Sequence, residues 1–291
     1  STNKWFPYGK LRVSYAKVGK DADPYSILNY YTQSAFNDGW TPGVAFPIPT
    51  IIGTNIYNIV GFTSDITLGN PNLKPESTSS FEAGADLRFI QNRIGVDITY
   101  YSSKSNDQIL PSPVAGSTGY QYAIQNTGSI SNKGWELELN LTPIKKKNWE
   151  WNISTNWSTN KSLVVSLGDT SIKALFLGGF EGSAIYAVVG QPYGSIYGGR
   201  WLRDKNGAVV IDDDQSSAGY GYPIMDNQVG VIGDINPKWI MGINNTVTWK
   251  DMISFGFVID VRHGGMIWNG TKGALTFFGR SALTENRGDS A

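Results

Sequence analysis

The sequence contains no cysteine and only one histidine among its 291 residues. Without cysteine there is no disulfide framework, no cysteine nucleophile and no thiolate metal site. A single histidine makes a zinc or His-triad site hard to assemble. The composition therefore argues against most metal and nucleophile chemistry.

Charge and long apolar runs are also scarce. Charged residues make up 16% of the chain, with 24 basic against 24 acidic side chains, and Lys145–Lys147 is the longest basic run. This balance lacks the electrostatic footprint of a nucleic-acid-binding protein. No stretch reaches the ~18 apolar residues of a membrane helix, and the first residues lack the regions of a signal peptide. The start therefore reads as internal or processed.

What the sequence does have is glycine, aromatic residues and period-two alternation. There are 34 glycines, 10 tryptophans, 15 tyrosines and 12 phenylalanines. Apolar and polar residues alternate through about ten segments, the clearest being the hairpin-like stretches 81–100, 135–157 and 239–262. Alternation of this kind indicates antiparallel strands with one apolar and one polar face, so we predict an all-β fold.

Three further features favour a transmembrane β-barrel. The strands are longer than the ~5 to 6 residues usual in globular proteins. Short turns at Gln91–Asn92, Lys145–Asn148 and Lys250–Asp251 contrast with long links, as in outer-membrane barrels with short periplasmic turns and long extracellular loops. We place the long links at 21–78, 102–120, 168–184 and 204–237. Aromatic residues at strand ends would form interfacial belts: Tyr15, Tyr100, Tyr101, Trp135, Trp149, Trp157, Trp239 and Trp249.

Several collinear blocks resemble one family. Residues 70–76 (Asn-Pro-Asn-Leu-Lys-Pro-Glu), followed by 81–84 and 92–101, resemble a block of TonB-dependent outer-membrane transporters. Blocks 126–136, 190–198 and 233–239, with the segments 260–265 and 269–272, resemble the SusC/RagA class of Bacteroidetes. Together they span residues 5–287 in the order of the family.

The resemblance implies an all-β antiparallel transmembrane barrel, of which residues 1–291 are one part. The whole barrel would have about 22 strands around a plug. We expect the plug domain, the TonB box and the terminal strands to lie outside this sequence, which would then be a segment of a larger chain. The implied function is TonB-dependent import of an oligosaccharide, or less often a peptide, across the outer membrane, without enzymatic chemistry. The implied partners are a SusD-like surface lipoprotein, the TonB complex, outer-membrane lipid and the substrate, with no nucleic acid.

Two alternatives stay open at this point. Within the barrel class, the chain could belong to a siderophore or cobalamin receptor. From another class, a secreted soluble glycan-binding β-protein could show the same alternation, because an antiparallel sheet with one solvated face produces it too.

Candidate site residues fall into three groups. Loop aromatics could stack on sugars or anchor a partner: Tyr30, Tyr31, Trp40, Tyr120, Tyr122, Tyr220 and Tyr222. Charges on the polar side of the strands would face the lumen or the plug: Glu82, Asp86, Arg93, Asp97, Glu136 and Glu138. Apart from calcium at Asp212, Asp213 and Asp214, which lack a complete EF-hand spacing, we predict no cofactor and no metal.

Overall fold

Long antiparallel strands form the main body of the chain. The computed structural model describes residues 3–36, 43–168, 171–180 and 183–286. Seven long strands, given next in their spatial order, form one continuous antiparallel path, and the short strand Thr67–Leu68 pairs parallel to the fourth of them. The long strands are β1 (Tyr8–Lys20), β9 (Glu76–Phe89), β10 (Ile94–Pro113), β11 (Tyr122–Lys146), β12 (Trp149–Ser166), β17 (Pro237–Trp249) and β18 (Ile253–Gly264).

Shorter elements occupy the long links. Between β1 and β9 lie β2 (Tyr31–Gln33), β3 (Ala35–Phe36), β4 (Val44–Ala45), β5 (Ile48–Ile52), β6 (Asn55–Ile59), β7 (Phe62–Ser64) and β8 (Thr67–Leu68). Between β12 and β17 lie β13 (Ala174–Phe180), β14 (Ser183–Val188), β15 (Ser195–Gly198) and β16 (Gly230–Asp234), which form a separate four-stranded sheet. The helix α1 (Gly270–Phe277) and the 3-10 turns Gly116–Thr118 and Ala282–Thr284 complete the fold. Within the described residues, no helix is long and apolar enough to cross a membrane.

All three predicted short turns are present, at one end of the main sheet. The chain reverses at residues 90–93, 147–148 and 250–252. Ile90, Gln91, Asn92, Lys250 and Asp251 all have positive φ angles, between 51° and 65°. Consecutive left-handed residues give a turn whose twist matches that of the flanking strands, which keeps the reversals at 90–93 and 250–252 tight. Lys145 and Lys146, which we had placed in a turn, belong to β11.

The prediction of a loop at 102–120 is wrong for most of that segment. β10 continues to Pro113 and β11 starts at Tyr122, so only residues 114–121 connect them. The strands continue because their register is restored after a bulge around Asp107, which has a φ angle of 55°. A run such as Ser102–Ser105 has little apolar alternation, and its strand character comes from its paired neighbours.

The two faces of the main sheet differ sharply. We call the side that carries Arg12, Asp97 and Glu138 the polar face, and the side that carries Leu11, Ile98 and Leu139 the apolar face. Apolar side chains on the second face are widely exposed, with Leu11 at 81% and Phe255 at 67%. An apolar surface of this extent marks contact with a membrane or another protein.

Two levels of aromatic residues bound the apolar face. Trp149 and Trp249 lie together at the turn end, with ring centroids 6.3 Å apart. The second level contains Trp239, ten residues from Trp249 along β17. Ten residues span ~33 Å along a strand. For a strand tilted by about 40° from the barrel axis, this corresponds to about 25 Å along that axis, which is the height of the apolar band of outer-membrane barrels.

The strand-end positions predicted for several belt residues are wrong. Tyr100, Trp135 and Trp157 lie inside β10, β11 and β12, because these strands extend well beyond the second aromatic level. Tyr100 and Trp135 are paired across strands, with ring centroids 5.0 Å apart. Tyr101 is not a belt residue, since it pairs with Glu82 and Gly134 on the polar face.

The buried core lies in the extension of the sheet beyond the second aromatic level. Val164 on β12, Leu167, Leu175 on β13 and Ala187 on β14 form it. Val164 is fully buried. Its N–H donates to the Gln191 carbonyl at 3.0 Å, and its carbonyl accepts the Gly190 N–H at 2.9 Å. This core fixes the four-stranded sheet against the long strands.

Candidate functional site on the polar face

Three carboxylates stand side by side across the polar face. Asp97 on β10 is paired directly with Asp86 on β9 and with Glu138 on β11. Like charges directly opposite one another in a sheet repel. Lys10 on β1, paired with Asp86, is the cation of the same row but forms no ion pair with a described residue, so cations from the neighbouring rows neutralise part of the charge.

Arg12 on β1 supplies one of these cations by reaching across β9. Its guanidinium makes two hydrogen bonds to the Asp97 carboxylate, one of them at 2.7 Å from Nη1 to Oδ2, and Nη2 also donates to Thr99 Oγ1 at 2.7 Å. The strand between them carries Gly84 at the crossing point. A Cβ atom there would lie 3.0 Å from Arg12 Nε and 3.0 Å from Thr99 Oγ1, so the glycine leaves the space that the arginine fills.

Arg88 is the second cation of this cluster. Its Nε lies 3.1 Å from Asp86 Oδ1. That oxygen is buried and accepts no hydrogen bond from a described residue, so the pair is held by charge rather than by aligned donors. Gly95, paired with Arg88 on β10, lacks the Cβ that would lie 2.6 Å from Arg88 Nη1.

The remaining carboxylates line a trough of about 520 Å³ on the same face. Glu136, Glu138 and Asp260 contribute to its wall, and Glu138 Oε1 accepts a hydrogen bond from Asn140 at 2.7 Å. None of the three forms an ion pair with a described residue. Residues of six strands (β1, β10, β11, β12, β17 and β18) line this one trough, which fits a sheet curved around its polar face.

Two charges predicted for this face lie away from the trough. Arg93 is in the turn before β10 and its Nη2 donates to the Lys145 carbonyl at 3.5 Å. Glu82 lies one row beyond Arg12 on β9, opposite Tyr101. The structure therefore brings Asp86, Asp97, Glu136 and Glu138 together and leaves these two at its margins.

Tyr101 repeats the geometry of Arg12. The ring extends from β10 over Gly134 on β11, and its hydroxyl donates to Asn160 Oδ1 on β12 at 3.0 Å. A Cβ on Gly134 would lie 2.5 Å from the Tyr101 hydroxyl and would overlap the Thr159 carbonyl oxygen. Glycines at the crossing points of these strands thus let long side chains lie flat against the wall.

The predicted loop tyrosines lie in three separate places. Tyr30 and Tyr31 are at β2, Tyr120 and Tyr122 are at the end of the β10–β11 hairpin, and Tyr220 and Tyr222 are in the segment 199–229. Their described rings make no contact with one another. Tyr31 and Tyr222 are 76% and 70% exposed, so they are available to a ligand or partner. Trp40 lies outside the described residues.

The acidic run in segment 199–229 shapes a turn. Asp212 Oδ1 accepts the Asp214 N–H, and Asp212 Oδ2 accepts the Ser217 hydroxyl at 2.6 Å. The Ser216 hydroxyl and backbone N–H both donate to Asp214, which lowers the pKa of that carboxyl below its usual value. The described residues contain no group of three acidic or histidine side chains that could hold a metal ion. Calcium at Asp212, Asp213 and Asp214 stays a prediction.

Asn126 fastens the 70–76 block to the long hairpin. Its side chain accepts the Lys74 N–H at 2.8 Å and donates to the Lys74 carbonyl at 2.7 Å and the Asp107 carbonyl at 2.9 Å. Glu76 Oε1 accepts the Ile109 N–H at 2.9 Å, beside the bulge. These contacts give two blocks of the family pattern a shared structural role, which could not be read from their spacing.

A curved antiparallel sheet with one charged face, one apolar face and aromatic levels about 25 Å apart at the tilt of barrel strands defines a segment of a β-barrel wall. The chain belongs to the family described as TonB dependent receptor-like, beta-barrel, whose model matches residues 2–282. The predictions of an all-β barrel segment and of this family are confirmed. The division into domains stays a prediction.

Sequence relatives lie in Bacteroidetes. The chain is 29% identical over 277 residues to TonB-dependent receptor P26 of Formosa agariphila, covering 89% of this chain and 26% of that protein. It is 34% identical over 105 residues to TonB-dependent receptor SusC of Bacteroides thetaiotaomicron, covering 35% of this chain and 10% of SusC. The chain thus spans about a quarter of the P26 receptor.

Solved structures support the fold. The fold is similar to that of the RagAB peptide transporter. The match covers 89% of this chain and 27% of the transporter chain, with a TM-score of 0.63 and 20% sequence identity. A second match is the RagAB peptide importer in its open-open state. This match covers 90% of this chain and 27% of the importer chain, with a TM-score of 0.64 and 19% identity. At these identities the likeness concerns the fold alone.

Proposed function

We propose that this chain forms part of the wall of an outer-membrane transporter that imports an oligosaccharide with energy from TonB. Its apolar face contacts lipid, and its polar face lines the lumen and meets the plug. The end with the short turns faces the periplasm, and the long links form the extracellular surface. Family membership and the charge-free apolar band support this orientation.

The position and surroundings of the Tyr101 ring favour a sugar substrate. Its ring lies along the polar face, and the surrounding side chains in its own row and the next one outward offer hydroxyl and amide groups. An aromatic face beside hydroxyl and amide groups suits the apolar and polar faces of a sugar ring. The neighbouring polar side chains are Ser14, Ser80, Ser103, Asn132, Asn160 and Ser162, with Glu82 as the nearby carboxylate.

A SusD-like lipoprotein covers the extracellular mouth in this proposal. The likeness to SusC and to the RagAB fold supports such a partner. Exposed aromatic side chains in the long links, such as Tyr31 and Tyr222, suit a protein interface because tyrosine is enriched in interface cores. The same residues are candidate substrate contacts.

Binding to the full-length receptor tests the substrate class. The purified protein would be titrated with neutral oligosaccharides (maltoheptaose, cellohexaose and xylohexaose), an oligogalacturonide and a mixture of decapeptides. We expect binding of a neutral oligosaccharide, weakened about two- to tenfold by Tyr101→Ala, since a lost aromatic contact is worth about 0.5–1.5 kcal/mol.

Tyr100→Ala is the matched control. Tyr100 precedes Tyr101 on the same strand but lies on the apolar face beside Trp135, so its loss should leave sugar affinity unchanged. Binding of decapeptides alone would replace the oligosaccharide with a peptide as substrate. Sugar binding that falls equally in both variants would remove Tyr101 from the site.

A further inference from the structure

Four lysines from four different strands meet on the apolar face, just outside the second aromatic level. They are Lys17 on β1, Lys104 on β10, Lys133 on β11 and Lys161 on β12. We call them the lysine patch. All four are exposed. They are far apart in sequence, so the only basic cluster visible there was Lys145–Lys147, and the strand register is what assembles this one.

The strand register sets the layout of the patch. Lys133 is directly opposite Lys161, and Lys104 lies one pair further along, opposite Ser131. Directly opposed side chains have Cβ atoms ~5 Å apart, and diagonal neighbours lie ~7–8 Å apart. Lys17 approaches from the other side, because Lys17 and Lys104 both pair with Ser79.

The patch carries uncompensated charge. None of the four lysines forms an ion pair with a described residue. Opposed lysines repel one another, which costs stability unless an anion lies between them. A phosphate group is small enough to approach several ammonium groups at once and carries the charge to offset them.

The position of the patch identifies the anion. Lys133 is the next residue of β11 on this face after Trp135, and no charged side chain lies on the face between the two aromatic levels along β11. Aromatic belts sit at the headgroup level of a bilayer, so lysines one step further out meet the lipid phosphates. Basic clusters at this depth bind anionic lipid headgroups.

We propose that the lysine patch binds the phosphate groups of a phosphorylated glycolipid in the outer leaflet. This inference rests on the proposed outer-membrane location, with the long links outside. The bound lipid would neutralise the Lys133–Lys161 pair and hold this part of the wall at a fixed depth. The site is separate from the trough and from Tyr101, which lie on the opposite face of the sheet.

Native mass spectrometry of the full-length receptor tests the proposal. The detergent-solubilised protein would be mixed with bisphosphorylated lipid A, with dephosphorylated lipid A, or with inorganic phosphate. We expect retention of the phosphorylated lipid only. The combined variant Lys104→Gln, Lys133→Gln and Lys161→Gln should bind it about 100-fold more weakly, given about 1 kcal/mol for each lysine near an anionic surface.

The control removes the same charge from the other end of β11. The variant Lys145→Gln, Lys146→Gln and Lys147→Gln should retain wild-type affinity. Heat-modifiable mobility on gels checks that both variants fold, and the comparison of the two lipids in the wild-type protein does not depend on any variant. Equal binding of dephosphorylated lipid A, equal binding by the patch variant, or retention of inorganic phosphate in place of the phosphorylated lipid would overturn the proposal.

Membrane fractionation of the same cells separates this test from the proposed function. A receptor that fractionates with the outer membrane and imports its sugar but ignores lipid phosphate would refute the lysine patch alone. A receptor absent from the outer membrane would refute the location on which both proposals rest.

Discussion

Arg12 and Asp97 are joined across an intervening strand, because Gly84 leaves the space between them open. The arginine also donates to Thr99. A lysine cannot reproduce these hydrogen bonds to Asp97 and Thr99, because they need a planar guanidinium with several donors. The pair ties β1 to β10 independently of the backbone ladder. It also relieves repulsion in the row that contains Asp86, Asp97 and Glu138.

Arg12→Lys and Arg12→Ala should therefore lower the unfolding temperature of the full-length receptor by a few degrees. Adding Asp97→Asn to Arg12→Ala should cost less than the sum of the two single changes, because the carboxylate no longer needs its partner. Lys10→Ala is the control: it removes a positive charge paired with Asp86 in the same row but no ion pair with a described residue, so it separates loss of charge from loss of the Arg12–Asp97 contact. Additive effects of Arg12→Ala and Asp97→Asn would show that the two side chains are not coupled.

Gly134 should tolerate no side chain. Alanine there would place its Cβ against the Thr159 carbonyl and displace the Tyr101 ring, with a cost of about 3 kcal/mol if the strands have to separate. We expect Gly134→Ala to reduce the amount of heat-modifiable receptor in the outer membrane. Gly116→Ala is the control, since a Cβ at that position meets no atom within 4 Å. Normal amounts of folded Gly134→Ala protein would contradict the close packing described.

Alternation predicted the faces of the long strands because side-chain direction in a strand depends only on local period. It did not predict the residues at which the strands end. Ser102–Ser105 has no apolar pattern of its own and is a strand because β9 and β11 pair with it. Tyr101 was misplaced because a tyrosine next to Tyr100 resembles a belt residue until its face is known. Arg12 was overlooked, although Leu11, Val13 and Tyr15 alternate with it.

The lysine patch and the Asn126 contacts show a different limit. Both depend on which residues of distant strands are opposite one another, and the residue spacing within one strand does not specify that register. Lys133 and Lys161 are 28 positions apart and become neighbours only through the β11–β12 pairing. Asn126 and Lys74 are 52 positions apart.

Replacing Asn126 should loosen the outer part of the β10–β11 hairpin. Asn126→Ala removes three hydrogen bonds to the backbone of Lys74 and Asp107, a loss of about 1–3 kcal/mol. Hydrogen exchange should accelerate in residues 70–76 and 105–128 while the turn end of the same strands stays protected. Gln125→Ala, at the exposed neighbouring position, should leave exchange unchanged. Equal protection in Asn126→Ala would mean that the strand pairing alone holds the hairpin.

Acid should open the segment 199–229 through Asp226. The Gln228 N–H and the Arg200 guanidinium, at 3.0 Å and 2.8 Å, lower the pKa of this carboxyl from its ordinary value of 3.8. A lowered pKa in the folded state means that the stabilisation is complete above that ordinary value and disappears as pH falls through the lowered one. Hydrogen exchange in this segment, corrected for the intrinsic effect of pH, should be constant from neutral pH down to about pH 5 and should rise only in stronger acid.

Asp226→Asn separates this effect from general acid unfolding. The variant lacks the carboxylate charge that pairs with Arg200. Residues 199–229 should therefore already exchange faster at neutral pH, and their exchange should change less on acidification. Asp213→Asn removes a carboxylate from the same segment that makes no hydrogen bond or ion pair with a described residue, and it should follow the wild-type curve. If Asp226→Asn and the wild-type protein show the same dependence on pH, then Asp226 is not the group that closes the segment.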